Sequence, residues 1–134
     1  MAHFAEIDEN NIVLRVVVVP DEEEERGHEF LSQDLGLGGT WLKTSYNTFM
    51  GSHVLGGTPY RINYAMPGGT YDSELDGFIF PRPYPSWTEM DPATGSWIPP
   101  VPLPEDASTK IYVWDETSGQ WVLSENAATL LANL

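Results

Sequence analysis

With twenty acids against six bases, this 134-residue chain has a formal charge of −14, and it contains no cysteine. So acidic a surface repels phosphate, which sets nucleic acid and anionic membranes aside as partners, and the missing thiols remove disulfides and thiolate metal sites. Twelve glycines, eleven prolines and 12% aromatic residues favour one small, mainly β domain, held by packing and by association with neighbouring subunits.

The opening Met1-Ala2-His3-Phe4-Ala5-Glu6 lacks the basic and apolar regions of a signal peptide. Residues around Phe4 and Ile7 predict a short strand, Asp8-Glu9-Asn10-Asn11 a turn, and Ile12 to Val19 a second strand ended by Pro20. The valines from Val16 to Val19 predict burial on both faces, since a half-exposed strand would alternate, and the run is too short to span a bilayer. Asp21 to Glu25 reads as a solvated helix entrance, with Asp21 as cap and Glu24 at the capping-box position, in preference to a cation site or acidic docking patch. Gly27 weakens a helix that starts so early. The ordered helix is therefore expected over Gly27–Leu35, with Phe30, Leu31 and Leu35 near one face and Gly36 as its stop.

Gly39 to Tyr46 predicts a strand, and Asn47 to Pro59 a long glycine-punctuated loop of the kind that carries function. Tyr60-Arg61-Ile62-Asn63-Tyr64 alternates like a short strand or a bound extended segment. From Thr70 to Glu125 one pattern then occurs three times, in Tyr71–Ile79, Met90–Ile98 and Trp114–Val122: an Asp, an aromatic six residues on, and a β-branched residue after it. Asp starts a turn through its own side chain, and Gly95 and Gly119, four past their Asp, accept the positive φ that closes a hairpin loop. Three repeated β-hairpins follow. The stretches Pro81–Trp87 and Pro99–Pro104 predict stiff polyproline connectors at strand edges, with Tyr84 and Trp87 turned inward, in preference to ligands for a partner's groove. The expected order is one β-rich domain over 1–134: an N-terminal hairpin, short helix and Gly-rich loop over 1–69, three hairpins over 70–125, and a tail over 126–134. That tail, rich in Ala and Leu, suits a terminal helix or a docking segment.

No catalytic constellation accompanies this pattern, so the chain is not expected to be an enzyme and no cofactor or metal is expected. His3, His28 and His53 stand at no zinc-ligand spacing, and Ser52-His53 lacks a nucleophile elbow. Asp72 to Gly77 has neither the ligand order nor the length of an EF-hand, and turn chemistry accounts for its acids. Trp87, Trp97, Trp114 and Trp121 fit the core of hairpins poor in aliphatic residues better than a sugar-stacking platform.

Several stretches resemble a family of small, mostly uncharacterised virion-associated proteins of tailed phages that infect marine bacteria and cyanobacteria. They are Met1–Ala5 with Ile7–Asn11, Gly38–Thr48, Gly56–Ala65, Gly69–Asp72, Pro81–Trp87 and Tyr112–Glu116. The resemblance runs in order over nearly the whole chain; the acid run and the tail after Val122 stand outside it. It implies a structural protein of the phage particle, located in the virion. A capsid decoration protein in many copies is the first expectation. The alternative is a tail or baseplate accessory protein with a glycan-binding surface of exposed tryptophans, and a small host-directed enzyme or inhibitor is a third.

The expected partners are other virion proteins, the major capsid protein or tail proteins, and further copies of the chain in a homo-oligomer. The docking face is placed in the weakly charged ground from Gly38 to Pro67. There Trp41, Tyr46, Phe49 and Tyr60 offer aromatic anchors, and Arg61 offers a charge for a carboxylate across the contact.

Overall fold

Alternating apolar residues near the N-terminus build the first sheet of the computed structural model, which describes residues 1–124. β1 (Ala2–Ile7) pairs antiparallel with β2 (Val13–Val19) and with β3 (Thr40–Thr44), giving the order β2-β1-β3. The β1–β2 register shifts between Glu6 and Ile7, a bulge that leaves Leu14 unmatched. β2 is therefore an edge strand. Val13 and Val19 are buried while Leu14 and Val18 are exposed, which corrects the expected burial on both faces. The valine run reflects edge geometry and strand propensity more than full enclosure.

The segment after Pro20 is helical from the acid run onward, earlier than expected. A 3-10 stretch (Asp21–Arg26) leads into one α-helical turn (Gly27–Glu29) and a wider π-type turn (Phe30–Asp34). No side chain caps its start, and Asp21 instead pairs with the N-terminal amine. Arg26 bridges Glu23 and Asp34 at 2.6 and 2.8 Å, which holds the Asp34 carboxyl below its usual range. Gly27 is there for proximity: a Cβ would stand 2.2 Å from the Phe4 ring. This contact lets the helix lie on the sheet, where Leu31 joins Ala2, Phe4, Val19 and Trp41 in one core cluster.

The opposite face of the sheet carries Ala5, Ile7 and Val13, packed with Ala65 and Phe78. Phe78 comes from the first repeated hairpin, β6 (Thr70–Asp72) with β7 (Gly77–Ile79). Within the expected long loop lies a further small hairpin, β4 (Thr48–Phe49) with β5 (Ser52–His53). Tyr60–Tyr64 is not a strand. Arg61 and Ile62 have φ of 53° and 68°, a left-handed pair that turns the chain back on itself.

All three repeated hairpins form. The second is β8 (Glu89–Asp91) with β9 (Ser96–Ile98), the third β10 (Tyr112–Asp115) with β11 (Gln120–Leu123). Gly95 and Gly119 have φ of 70° and 66°, as their loop positions require, and Asp76 takes the equivalent place in the first hairpin with φ of 49°. In each loop the leading Asp accepts local bonds: Asp72 Oδ1 from the Glu74 and Leu75 N–H, Asp91 Oδ1 from the Ala93 N–H, and Asp115 Oδ2 from the Ser118 hydroxyl.

The result is mainly β, 35% strand against 15% helix, in several small antiparallel sheets. The chain, expected to form one domain, divides into two compact units: Met1–Arg82 with Met90–Trp97, and Pro83–Glu89 with Ile98 onward. The tail expected over 126–134 lies outside the described residues.

Candidate functional site

Between Lys43 and Tyr71 the chain carries a single charged side chain, Arg61, although the whole molecule holds twenty acids. Within the first unit this acid-free stretch brings exposed aromatic and apolar side chains together. Tyr46 is 69% exposed and stacks on His3 at 5.7 Å, and Tyr64 meets both rings edge-on at 5.5 Å. Tyr64 also walls a shallow apolar hollow of about 290 Å³ with Phe49, Ala65, Met66, Pro67 and Phe80. Phe49, 54% exposed, meets Phe80 at 5.7 Å. Burial and the neighbouring Tyr46 raise the Tyr64 phenol above its ordinary range, so it stays a neutral hydroxyl.

Buried polar groups hold this surface. The side-chain oxygen of Thr48 accepts from the Tyr60 N–H at 3.0 Å, and its carbonyl accepts from the Tyr64 N–H at 2.8 Å. Asn63 lies at the centre. Its Oδ1 accepts from the Met50 N–H at 2.7 Å, and its Nδ2 donates to the carbonyls of Phe78 at 3.0 Å and Thr94 at 2.8 Å. One buried amide thereby ties three hairpins together. Reading the sequence missed it, because a polar residue inside an alternating pentapeptide gives no local sign of burial.

Of the five expected anchors, Tyr46 and Phe49 stand exposed on the surface. Trp41 does not: at 2% exposure it belongs to the core beneath the helix, with its indole N–H donating to the Gly38 carbonyl at 2.7 Å. Tyr60 is half-buried under the Arg61 guanidinium, which lies 5.0 Å from its ring centre. Arg61 itself is already engaged within the molecule, donating to the Lys43 carbonyl at 2.9 Å and lying 3.1 Å from Asp76 Oδ1. Of the expected residues only Tyr46 and Phe49 are exposed, and Tyr64, Met66 and Phe80, which the sequence reading did not single out, lie beside them.

None of the five tryptophans is fully exposed. In the second unit Trp87, Trp114 and Trp121 pack edge-on at 5.4–6.0 Å, with Tyr84 beside Trp87 at 5.6 Å. Trp121 donates its indole N–H to the Val101 carbonyl at 2.7 Å, so this cluster grips its own proline-rich segment. Glu116 accepts from the Ser86 hydroxyl at 2.5 Å and from the Trp114 indole at 2.9 Å, contacts that hold its carboxyl below the ordinary glutamate range. These three rings meet edge to face and do not present a flat stacked platform, while Trp97, in the first unit, donates to the Phe80 carbonyl at 2.7 Å under the Arg82 guanidinium.

Two of the three histidines hold backbone: His28 Nδ1 accepts from the Trp41 N–H, and His53 Nδ1 from the N–H groups of Leu55 and Gly57. Among the described residues no group of three or more His, Asp or Glu could hold a metal ion, and no helix is long and apolar enough to cross a membrane. Compared with protein-family models, curated proteins and solved structures, the chain matches none of them.

Proposed function

We propose that this chain is a structural protein of a tailed-phage particle, a decoration protein that docks on the capsid lattice through the aromatic ground of its first unit. The observation that carries the reading is the segregation of charge. A chain of −14 keeps every acid out of the stretch between Lys43 and Tyr71 and exposes Tyr46, Phe49 and Met66 there. Charge depletion with aromatic and methionine enrichment is the composition of an interface core, and the acids elsewhere keep the unbound molecule soluble. The resemblance of Gly38–Thr48 and Gly56–Ala65 to phage virion proteins supports the setting. The tail-accessory reading draws less support, because Trp87, Trp114 and Trp121 pack on one another and Trp97 lies under the Arg82 guanidinium.

Quantitative mass spectrometry of purified particles tests the proposal: hundreds of copies per particle are expected, whereas a handful favours the tail and none refutes a virion role. Tyr46→Ala combined with Phe49→Ala should leave the melting temperature within a few degrees and strip the protein from particles. Unchanged incorporation of that folded variant would place the docking face elsewhere.

A further inference from the structure

The two edges of the first sheet are treated differently. Along β3 the outward backbone groups are closed by side chains, the Trp41 N–H by His28 and the Lys43 carbonyl by Arg61. At the start of β2, Val13 bonds the Gly68–Gly69 turn through both its N–H and its carbonyl, each at 2.9 Å. The alternation of an antiparallel ladder fixes the remainder. Because Trp41 and Lys43 face outward, β3 bonds β1 through the pairs Thr40–Ile7, Leu42–Ala5 and Thr44–His3. Ala2, Phe4 and Glu6 then bond β2 through Val19, Val17 and Arg15, which turns the N–H and carbonyl of Val16 and Val18 outward. Among the described residues nothing bonds to them.

Natural edge strands are shielded by charge, proline or a covering loop. This one is covered at its ends, by the Gly68–Gly69 turn and by Pro20. Between them the strand carries no acid; its one charge, Arg15, is drawn across β1 to Glu6 at 2.8 Å and over the Trp41 ring, which leaves the valine-rich stretch Val16–Val18 uncharged, and Leu14 and Val18 are each 51% exposed. Just beyond Pro20, Asp21, Glu22 and Glu25 are exposed, and Glu22 and Glu25 have no ion-pair partner among the described residues.

We propose that the outer edge of β2 at Val16–Val18 receives an extended strand from a partner protein, a β-branched segment that carries lysine or arginine where it passes the acid run. Backbone pairing supplies the affinity in such strand addition, and the flanking charge supplies orientation and on-rate. A second copy of the chain suits the edge poorly. Both copies carry −14, so edge-to-edge self-pairing is opposed by like charge. The inference stands without the particle reading, and its test uses different residues.

The isotope-labelled full chain is titrated with a short peptide of alternating threonine and valine that ends in two lysines. Amide shifts and slowed hydrogen exchange are expected at Val16 and Val18. N-methylation of alternate peptide amides should weaken binding at least about tenfold, since it removes the pairing groups. Glutamates in place of the lysines should weaken binding at low salt and much less at high salt. Val18→Pro removes an outward N–H and spares the ladder to β1, so it should fold and bind at least about tenfold more weakly. If that variant does not fold, the N-methylated peptide decides. No response at Val16 and Val18, equal binding of the N-methylated peptide, or dimerisation of the chain through β2 in sedimentation would overturn the proposal.

Discussion

Replacing Asn63 tests whether one buried amide holds the first unit together. Asn63→Ala removes bonds of 2.7, 3.0 and 2.8 Å and leaves the Met50 N–H and the carbonyls of Phe78 and Thr94 without their partner. Each orphaned buried group costs about 1–3 kcal/mol, but the vacated space is roughly one water in size, and a water can re-satisfy two of the three. With one group left orphaned the expected loss is about 1–3 kcal/mol, a sizeable share of the stability of a small domain. Asn63→Leu fills the space and admits no water, so it should cost more than alanine, whereas simple apolar burial predicts the opposite order. Urea denaturation gives the two free energies, and hydrogen exchange at the Met50 amide reports the broken bond directly. A loss below about 1 kcal/mol for alanine, or a leucine variant more stable than the alanine one, would refute the hub.

The two loop glycines separate backbone strain from crowding. Gly119→Ala should cost about 1 kcal/mol, because its φ of 66° is left-handed and nothing lies within 4 Å of a new Cβ. Gly95→Ala should cost at least about twice that in thermal denaturation, since its Cβ would meet Asn63 Nδ2 at 2.6 Å. Trp41→Ala should destabilise by about 3–5 kcal/mol while Tyr46→Ala stays within about 1 kcal/mol, a contrast that separates core from exposed surface in one denaturation series. The second unit should be acid-sensitive. Ser86 and Trp114 depress Glu116, and Tyr112 and Lys110 depress Asp106. Depressed carboxyls contribute stability above their unfolded pKa and lose it as pH falls through the folded one, so the tryptophan emission of the cluster should shift only below about pH 4. Glu116→Gln should shrink that acid step. A step of unchanged size would show that the Ser86 and Trp114 contacts do not stabilise the fold.

The hairpins were legible in the sequence because their signals are local. Asp opens the turn, glycine closes it, and aromatic and β-branched residues flank it, all within nine positions. Where an outcome depended on distant partners, local signals failed. Tyr60–Tyr64 alternates as a strand would, yet bonds from Thr48, Gly51 and Phe78 fold it into a left-handed turn. Trp41 and Tyr46 are both aromatic and only five positions apart. Residue type cannot say that one lies beneath the helix and the other beyond the end of β3. The valines of β2 read as enclosed because composition does not report which strand forms the edge. Arg61 was offered to a partner because its internal acceptors, the Lys43 carbonyl and Asp76, lie 18 and 15 positions away in the chain.

The discontinuity of the first unit bears on synthesis. Its main stretch ends at Arg82, yet the Thr94 carbonyl that Asn63 needs and the Gly95 carbonyl that receives the Phe80 N–H arrive only with Met90–Trp97. A nascent chain that has cleared the ribosome only as far as Arg82 can pair β1 with β2 and β3 but cannot close the bonds around Asn63. At the usual pace of translation that interval lasts on the order of a second. During it the apolar stretch between Lys43 and Tyr71 has no finished support, a long-range dependence that is expected to slow refolding relative to a chain of local contacts.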